Sequence, residues 1–146
     1  IVADEPVAAL DVSTRAGILN LMRSLQRELG LTYLLISHDL SVIKHMSETI
    51  IVMYLGRLVE LSEGDELFSK PYHPYTRGLI SSIPIPDPSA KKERILLPGG
   101  VSTAIDPAPG CRFGSRCSYR QEKCGNLEPK LVEVGKRHLV ACHRFE

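Results

Sequence analysis

The sequence predicts an α/β fold, and three observations carry that expectation. A short apolar strand, Ile1-Val2-Ala3, runs into the carboxylates Asp4 and Glu5 and is stopped by Pro6. A second run, Leu31-Thr32-Tyr33-Leu34-Leu35-Ile36, is nearly continuously apolar, as in strands covered on both faces. Between them Ile18, Met22, Leu25 and Leu29 recur at helical spacing. Strand, helix and strand in this order make the right-handed crossover that a parallel pair requires.

Successive strand residues face opposite ways, so Asp4 and Glu5 share one site only if the strand ends there. Pro6 favours that ending, because it donates no ladder hydrogen bond and holds Glu5 extended. The helix is expected to be capped by Asp11 or Ser13 and to run to about Leu29. Leu21 widens its apolar stripe, Arg15, Arg23, Arg27 and Glu28 lie largely off it, and Gly30 suits the position after its end. The second strand runs into Ser37-His38-Asp39, which places His38 at the same sheet edge as Asp4 and Glu5. Asp39 suits the cap of a short helix from Leu40 to about Met46. Thr49–Tyr54 and Arg57–Leu61 read as an antiparallel hairpin about Leu55-Gly56, followed by short helices near 64–69 and 74–82. Pro84, Pro86 and Pro88 then break regular structure, which sets an expected boundary at about 84–92, between a domain of residues 1–83 and one of 84–146.

Composition narrows the class. A charged fraction of 24% and a hydrophobic fraction of 43% are those of an ordinary globular chain of 146 residues. The sequence has no run of 18 or more apolar residues of the kind that spans a bilayer, and no signal-peptide pattern. The net charge of +1 is unevenly spread. Residues 111–146 hold eight basic and four acidic side chains, and all four cysteines. A solvated face explains such an imbalance by default; a gathered negative charge or a nucleic-acid contact is the sharper explanation.

Ligands of open α/β sheets bind just beyond the carboxyl ends of the strands. There an aspartate such as Asp4 can hold Mg²⁺ on a nucleotide phosphate, and a following Glu5 can polarise an attacking water. Alone, Asp-Glu-Pro reads equally well as a solvated acidic turn, and His38 alone as a structural histidine. Together they mean more. The stretch from Val2 to Asp11, Val-Ala-Asp-Glu-Pro-x-x-Ala-Leu-Asp, resembles the Walker B strand and D-loop of ATP-binding-cassette (ABC) ATPases, and Ile36-Ser37-His38-Asp39 resembles their switch histidine. His73-Pro74-Tyr75-Thr76, then Ile83-Pro84, Pro109-Gly110-Cys111-Arg112-Phe113 and Val140-Ala141-Cys142-His143, is similar to the ATPase subunits of bacterial oligopeptide and dipeptide importers and of relatives that import nickel or glutathione.

That resemblance implies the C-terminal part of a P-loop NTPase domain followed by a small irregular cysteine-bearing module. It implies ATP and Mg²⁺, with Asp4 on the metal, Glu5 activating water, His38 reading the γ-phosphate and Asp11 at the seam between two ATPase subunits. Ala8 stands where the family often has serine. The implied partners are a second ATPase subunit, membrane permeases and, indirectly, a solute-binding protein, with no nucleic acid. The implied location is the cytoplasmic face of the inner membrane. The sequence contains no Gly-x-x-x-x-Gly-Lys-Ser/Thr loop, no glutamine loop and no Leu-Ser-Gly-Gly-Gln signature. These precede the Walker B strand in the family, so truncation is the expected reason, and the 146-residue chain is expected not to hydrolyse ATP unaided.

The cysteines fall as Cys111-x₅-Cys117-x₆-Cys124-x₁₇-Cys142, too irregular for common zinc ribbons. Disulfides are not expected in a cytosolic ATPase. Four thiolates would leave a negative site, which Arg112, Arg116, Arg120 and Lys123 are placed in sequence to offset. Some members of the resembled family carry a 4Fe–4S cluster here, so a cluster is expected first, with zinc or no metal as alternatives. Two rival functions stand beside transport. One is an ABC ATPase that grips nucleic acid through the basic tail, which salt-dependent binding would reveal. The other is a non-enzymatic Cys₄ binding module.

Overall fold

The computed structural model describes residues 1–84, 94–100 and 107–146, which divide into two compact units, Ile1–Ser47 and Glu48–Glu146. Most of the expected boundary at 84–92 lies outside the described residues.

The first unit follows the expected strand, helix, strand and helix. β1 (Val2–Asp4) pairs in parallel with β2 (Leu34–Ile36), with Val2 opposite Leu34 and Asp4 opposite Ile36. Between them α1 (Val12–Leu29) starts at Asp11, whose carboxylate accepts from the backbone N–H of Ser13 and Thr14. It ends at Gly30, whose φ of 62° is the left-handed value that favours glycine. α2 (Leu40–Met46) is capped by Asp39 in the same manner. Val7, Leu19 and Val42 form the core of this unit, with Leu10, Ile18, Met22, Leu35 and Met46 packed on it. β2 is shorter than the apolar run that encodes it. Leu31–Tyr33 precede the ladder, and Leu34 and Ile36 are about half exposed because they face away from the core on which Leu35 packs.

In the second unit β3 (Thr49–Tyr54) and β4 (Arg57–Glu63) form the expected hairpin, turning through Leu55 and Gly56 at φ of 44° and 74°. Two positive φ values in succession are those of the tight turns that match strand twist. α3 (Gly64–Ser69) and α4 (Pro74–Ser81) follow. The tail departs from expectation. It supplies two strands, β5 (Leu131–Gly135) and β6 (His138–Ala141), and the sheet order is β3-β4-β6-β5. These strands are only five and four residues long, too short for their alternation to stand out in the sequence.

The His-Pro-Tyr-Thr segment is core structure. His73 caps α4, its Nδ1 accepting from the N–H of Tyr75 at 3.1 Å, and Pro74 starts the helix. The rings of Tyr54, Tyr75 and His73 gather around Phe113, which is almost wholly buried. Burial pushes the His73 imidazole down to about 4, so it is neutral at neutral pH, as its accepting Nδ1 requires. The unfolded chain would bind a proton near the ordinary histidine value while the folded chain would not. Stability is therefore fully present above about pH 6.5 and is lost as pH falls from there toward 4. A displacement of one pH unit corresponds to about 1.4 kcal/mol, so the loss is on the order of 3 kcal/mol. Denaturant titrations across that window should show it, and His73→Asn, which keeps a capping oxygen without a titrating ring, should flatten the dependence.

Candidate functional site

The carboxyl ends of β1 and β2 bring together two of the residues that the sequence singles out. β1 stops at Asp4, and Glu5 turns off it with a φ of 48°, a left-handed conformation rare outside glycine. Such strain persists only where surrounding bonds fix it. Here the Glu5 N–H donates to the carbonyl of Ile36 at 2.9 Å, and its own carbonyl accepts from Ala8 at 3.2 Å. The side chain crosses to the loop after β2. Its Oε1 accepts from the backbone N–H of His38 at 3.0 Å and from the His38 ring Nδ1 at 2.6 Å. The bond from the His38 ring, chiefly, holds the Glu5 carboxyl below its usual range, so it is ionised at neutral pH. An ionised carboxylate only accepts, so Nδ1 carries the proton and Nε2 points elsewhere. The His38 side chain is 80% exposed, leaving that second nitrogen open to a ligand.

Asp4 is exposed at the last position of β1, opposite Ile36, so its carboxylate is open to a cation. Asp11 has a structural task. Its Oδ1 accepts the two cap bonds and a third from the Ser13 hydroxyl at 2.6 Å. These bonds, the hydroxyl first, hold its carboxyl far below the usual range.

The four cysteines share one neighbourhood in the second unit. The Cys111 N–H donates to the Cys124 carbonyl at 2.9 Å, and Gly110, at φ 91°, packs so closely that a Cβ there would lie 2.5 Å from the same oxygen. Burial, chiefly, pushes the thiols of Cys111, Cys117 and Cys142 up, and the neighbouring thiols add to it. Among the described residues no group of three or more His, Cys, Asp or Glu is placed to hold a metal ion. The Cys124 Sγ accepts from the N–H of Gln121 at 3.4 Å, in the short turn Glu122–Gly125.

Two features escape a reading of the sequence. Arg15 joins α1 to Asp39 across 2.8 Å. Glu60 and His138, both fully buried, pair at 2.7 Å between β4 and β6. Helical spacing marks Arg15 only as a residue off the apolar stripe, and 77 intervening residues hide the second pair.

Residues 59–124 match the family model for the C-terminal region of oligopeptide/dipeptide transporters. Nearly the whole chain is similar to ATP-binding proteins named for oligopeptide or dipeptide transport. It is 50% identical over 99% of its length to the putative oligopeptide transport ATP-binding protein YkfD of Bacillus subtilis, covering 45% of that protein. It is 51% identical over 97% of its length to the dipeptide transport ATP-binding protein DppF of Escherichia coli, covering 42% of it. Against DppF of Haemophilus influenzae the identity is 48% over the whole chain, which covers 45% of that relative. The chain thus spans less than half the length of the curated relatives it matches.

Proposed function

We propose that this chain is part of the ATP-hydrolysing subunit of an importer for oligopeptides or dipeptides. The observation that carries the reading is the Glu5–His38 pair at the carboxyl ends of two parallel strands. Glu5 is a charged acceptor beside open solvent, suited to polarise a water against a phosphoryl group. His38 commits Nδ1 to Glu5 and keeps Nε2 for the γ-phosphate. One nitrogen thus holds the ring while the other senses the nucleotide. Asp4 is the residue that would hold Mg²⁺, which when bound supplies a Lewis acid on the phosphates. Asp11, exposed at the start of α1, is the residue that would make a contact across a pair of ATPase subunits. Half-exposed Leu34 and Ile36 share one face of β2, which a further layer of a nucleotide-binding domain would cover.

The partners in this reading are a second ATPase subunit and membrane permeases that receive peptide from a solute-binding protein, with the subunit peripheral on the cytoplasmic face. No helix among the described residues is long and apolar enough to cross a membrane, which fits a peripheral place. The relatives are named for transport, and this favours transport over a nucleic-acid role for the basic tail. Cys111, Cys117, Cys124 and Cys142 are the residues that would hold a 4Fe–4S cluster or zinc, and no step of the reaction is routed through it. The test is peptide-stimulated ATP turnover by the full-length subunit reconstituted with its permeases. His38→Ala should lower that turnover by about 10²-fold or more, within the range of positioned proton-handling groups. Undiminished coupled turnover in that variant would overturn the reading.

A further inference from the structure

We infer that Arg15 is a positioning residue that clamps the Glu5–Leu10 turn to the His38 loop. This rests on the site described above. Its guanidinium bridges two segments: Nη1 donates to Asp39 Oδ2 at 2.8 Å and Nη2 donates to the carbonyl of Leu10 at 3.2 Å. Each end is itself anchored. Leu10 sits in a turn, its N–H donating to the Val7 carbonyl, and the next residue, Asp11, caps the helix that carries Arg15. Asp39 divides its oxygens, Oδ1 capping α2 while Oδ2 takes the guanidinium, and its N–H donates to the Ser37 hydroxyl at 3.1 Å. The chain then returns from Asp39 through His38 to Glu5.

The result is a closed ring: Glu5, the turn to Leu10, Arg15, Asp39, His38 and back to Glu5. Two cross-links hold it, the Glu5–His38 pair on one side and Arg15 on the other. Arg15 lies on the first turn of α1, its backbone N–H bonded to the Asp11 carbonyl at 2.9 Å, so its base moves with the residue proposed to meet the second subunit. A displacement of the Leu10–Asp11 turn is therefore passed through one guanidinium to the residue next to His38. The geometry needs a fork. Two acceptors on different segments are reached by two nitrogens fixed in one plane, and the single ammonium of lysine cannot hold both in that arrangement.

Nitrogen-15 NMR of the whole 146-residue chain reads the clamp without ATP. In its neutral form, wild-type His38 should show its proton on Nδ1, held there by Glu5. Arg15→Ala should lose that signature in favour of the solution tautomer mixture. Asp39→Asn, which retains a capping oxygen but not the ion pair, should lose it too and guards against simple unfolding of the first variant. Arg15→Lys should fail to restore it. In the full-length subunit the same variants should lower kcat by about 10–100-fold, as expected for misplaced catalytic groups, with a much smaller change in KM for ATP. Persistence of the Nδ1–H signature in both Arg15→Ala and Asp39→Asn would overturn the clamp, as would full rescue by lysine, which would reduce Arg15 to a charge. A clamp seen by NMR in a subunit without ATP turnover would instead refute the functional reading and leave the clamp standing.

Discussion

Glu60→Ala should unfold the second unit or cost it on the order of 3 kcal/mol or more, since three donors lose their buried acceptor at about 1–3 kcal/mol each. Glu60 is fully buried on β4, and its carboxylate is the meeting point of three segments. It accepts from the N–H of Tyr72 at 2.7 Å and of His73 at 3.0 Å, just before α4, and pairs with His138 Nε2 on β6 at 2.7 Å. Truncation leaves two backbone donors and an imidazole without their acceptor in a space closed to water, and unmade buried bonds cost more than made ones contribute. The same contacts tie the His73 cap, and through it the ring cluster around Phe113, to the sheet. Chemical denaturation should show the loss, together with quenching changes at the tyrosines. Glu60→Gln, which keeps one acceptor oxygen, should be milder than Glu60→Ala. Equal stability of Glu60→Ala and the parent would mean that the sheet and α4 are joined by packing alone.

What can be read in the sequence depends on how far apart the interacting residues are. α1 is legible to within a residue, because Asp11 and Gly30 are local signals and the apolar spacing between them is long. The hairpin of β3 and β4 is legible for the same reason. The meeting of Glu5 with His38 follows from the crossover, since a parallel pair must place both strand ends at one edge. The left-handed turn at Glu5 does not, because Pro6 predicts an extended residue before it. Tertiary bonds from Ile36 and His38 override that local preference. Glu60 is invisible for a related reason. In Leu58-Val59-Glu60-Leu61 a glutamate reads as the solvated side of a strand, and its cover comes from Tyr72, His73 and a strand that begins at His138. The cysteines mark the opposite limit. Their sequence density suggests a metal, yet among the described residues no group of three or more His, Cys, Asp or Glu is placed to hold one, and burial pushes the thiols of Cys111, Cys117 and Cys142 up.

Glu5→Gln in the full-length subunit should stop hydrolysis while sparing ATP binding. The substitution is close to isosteric, and a glutamine Oε1 can still accept from the His38 N–H and Nδ1–H, so the left-handed turn and the ring orientation should survive. What is lost is the negative charge that polarises water, a contribution typically worth about 10²–10⁴-fold in rate. Asp4→Asn one residue earlier should act differently, weakening Mg²⁺-dependent nucleotide binding itself, because an amide is a poor ligand for a hard dication. Single-turnover hydrolysis and equilibrium ATP binding, measured side by side on both variants, separate the two roles. Glu5→Gln should retain ATP in a long-lived complex, and the equivalent complex should fail to form in Asp4→Asn at the same Mg²⁺ concentration. A common mild phenotype for both would show that the acidic turn is solvated scaffold, and that the Glu5–His38 bond serves the fold of the first unit alone.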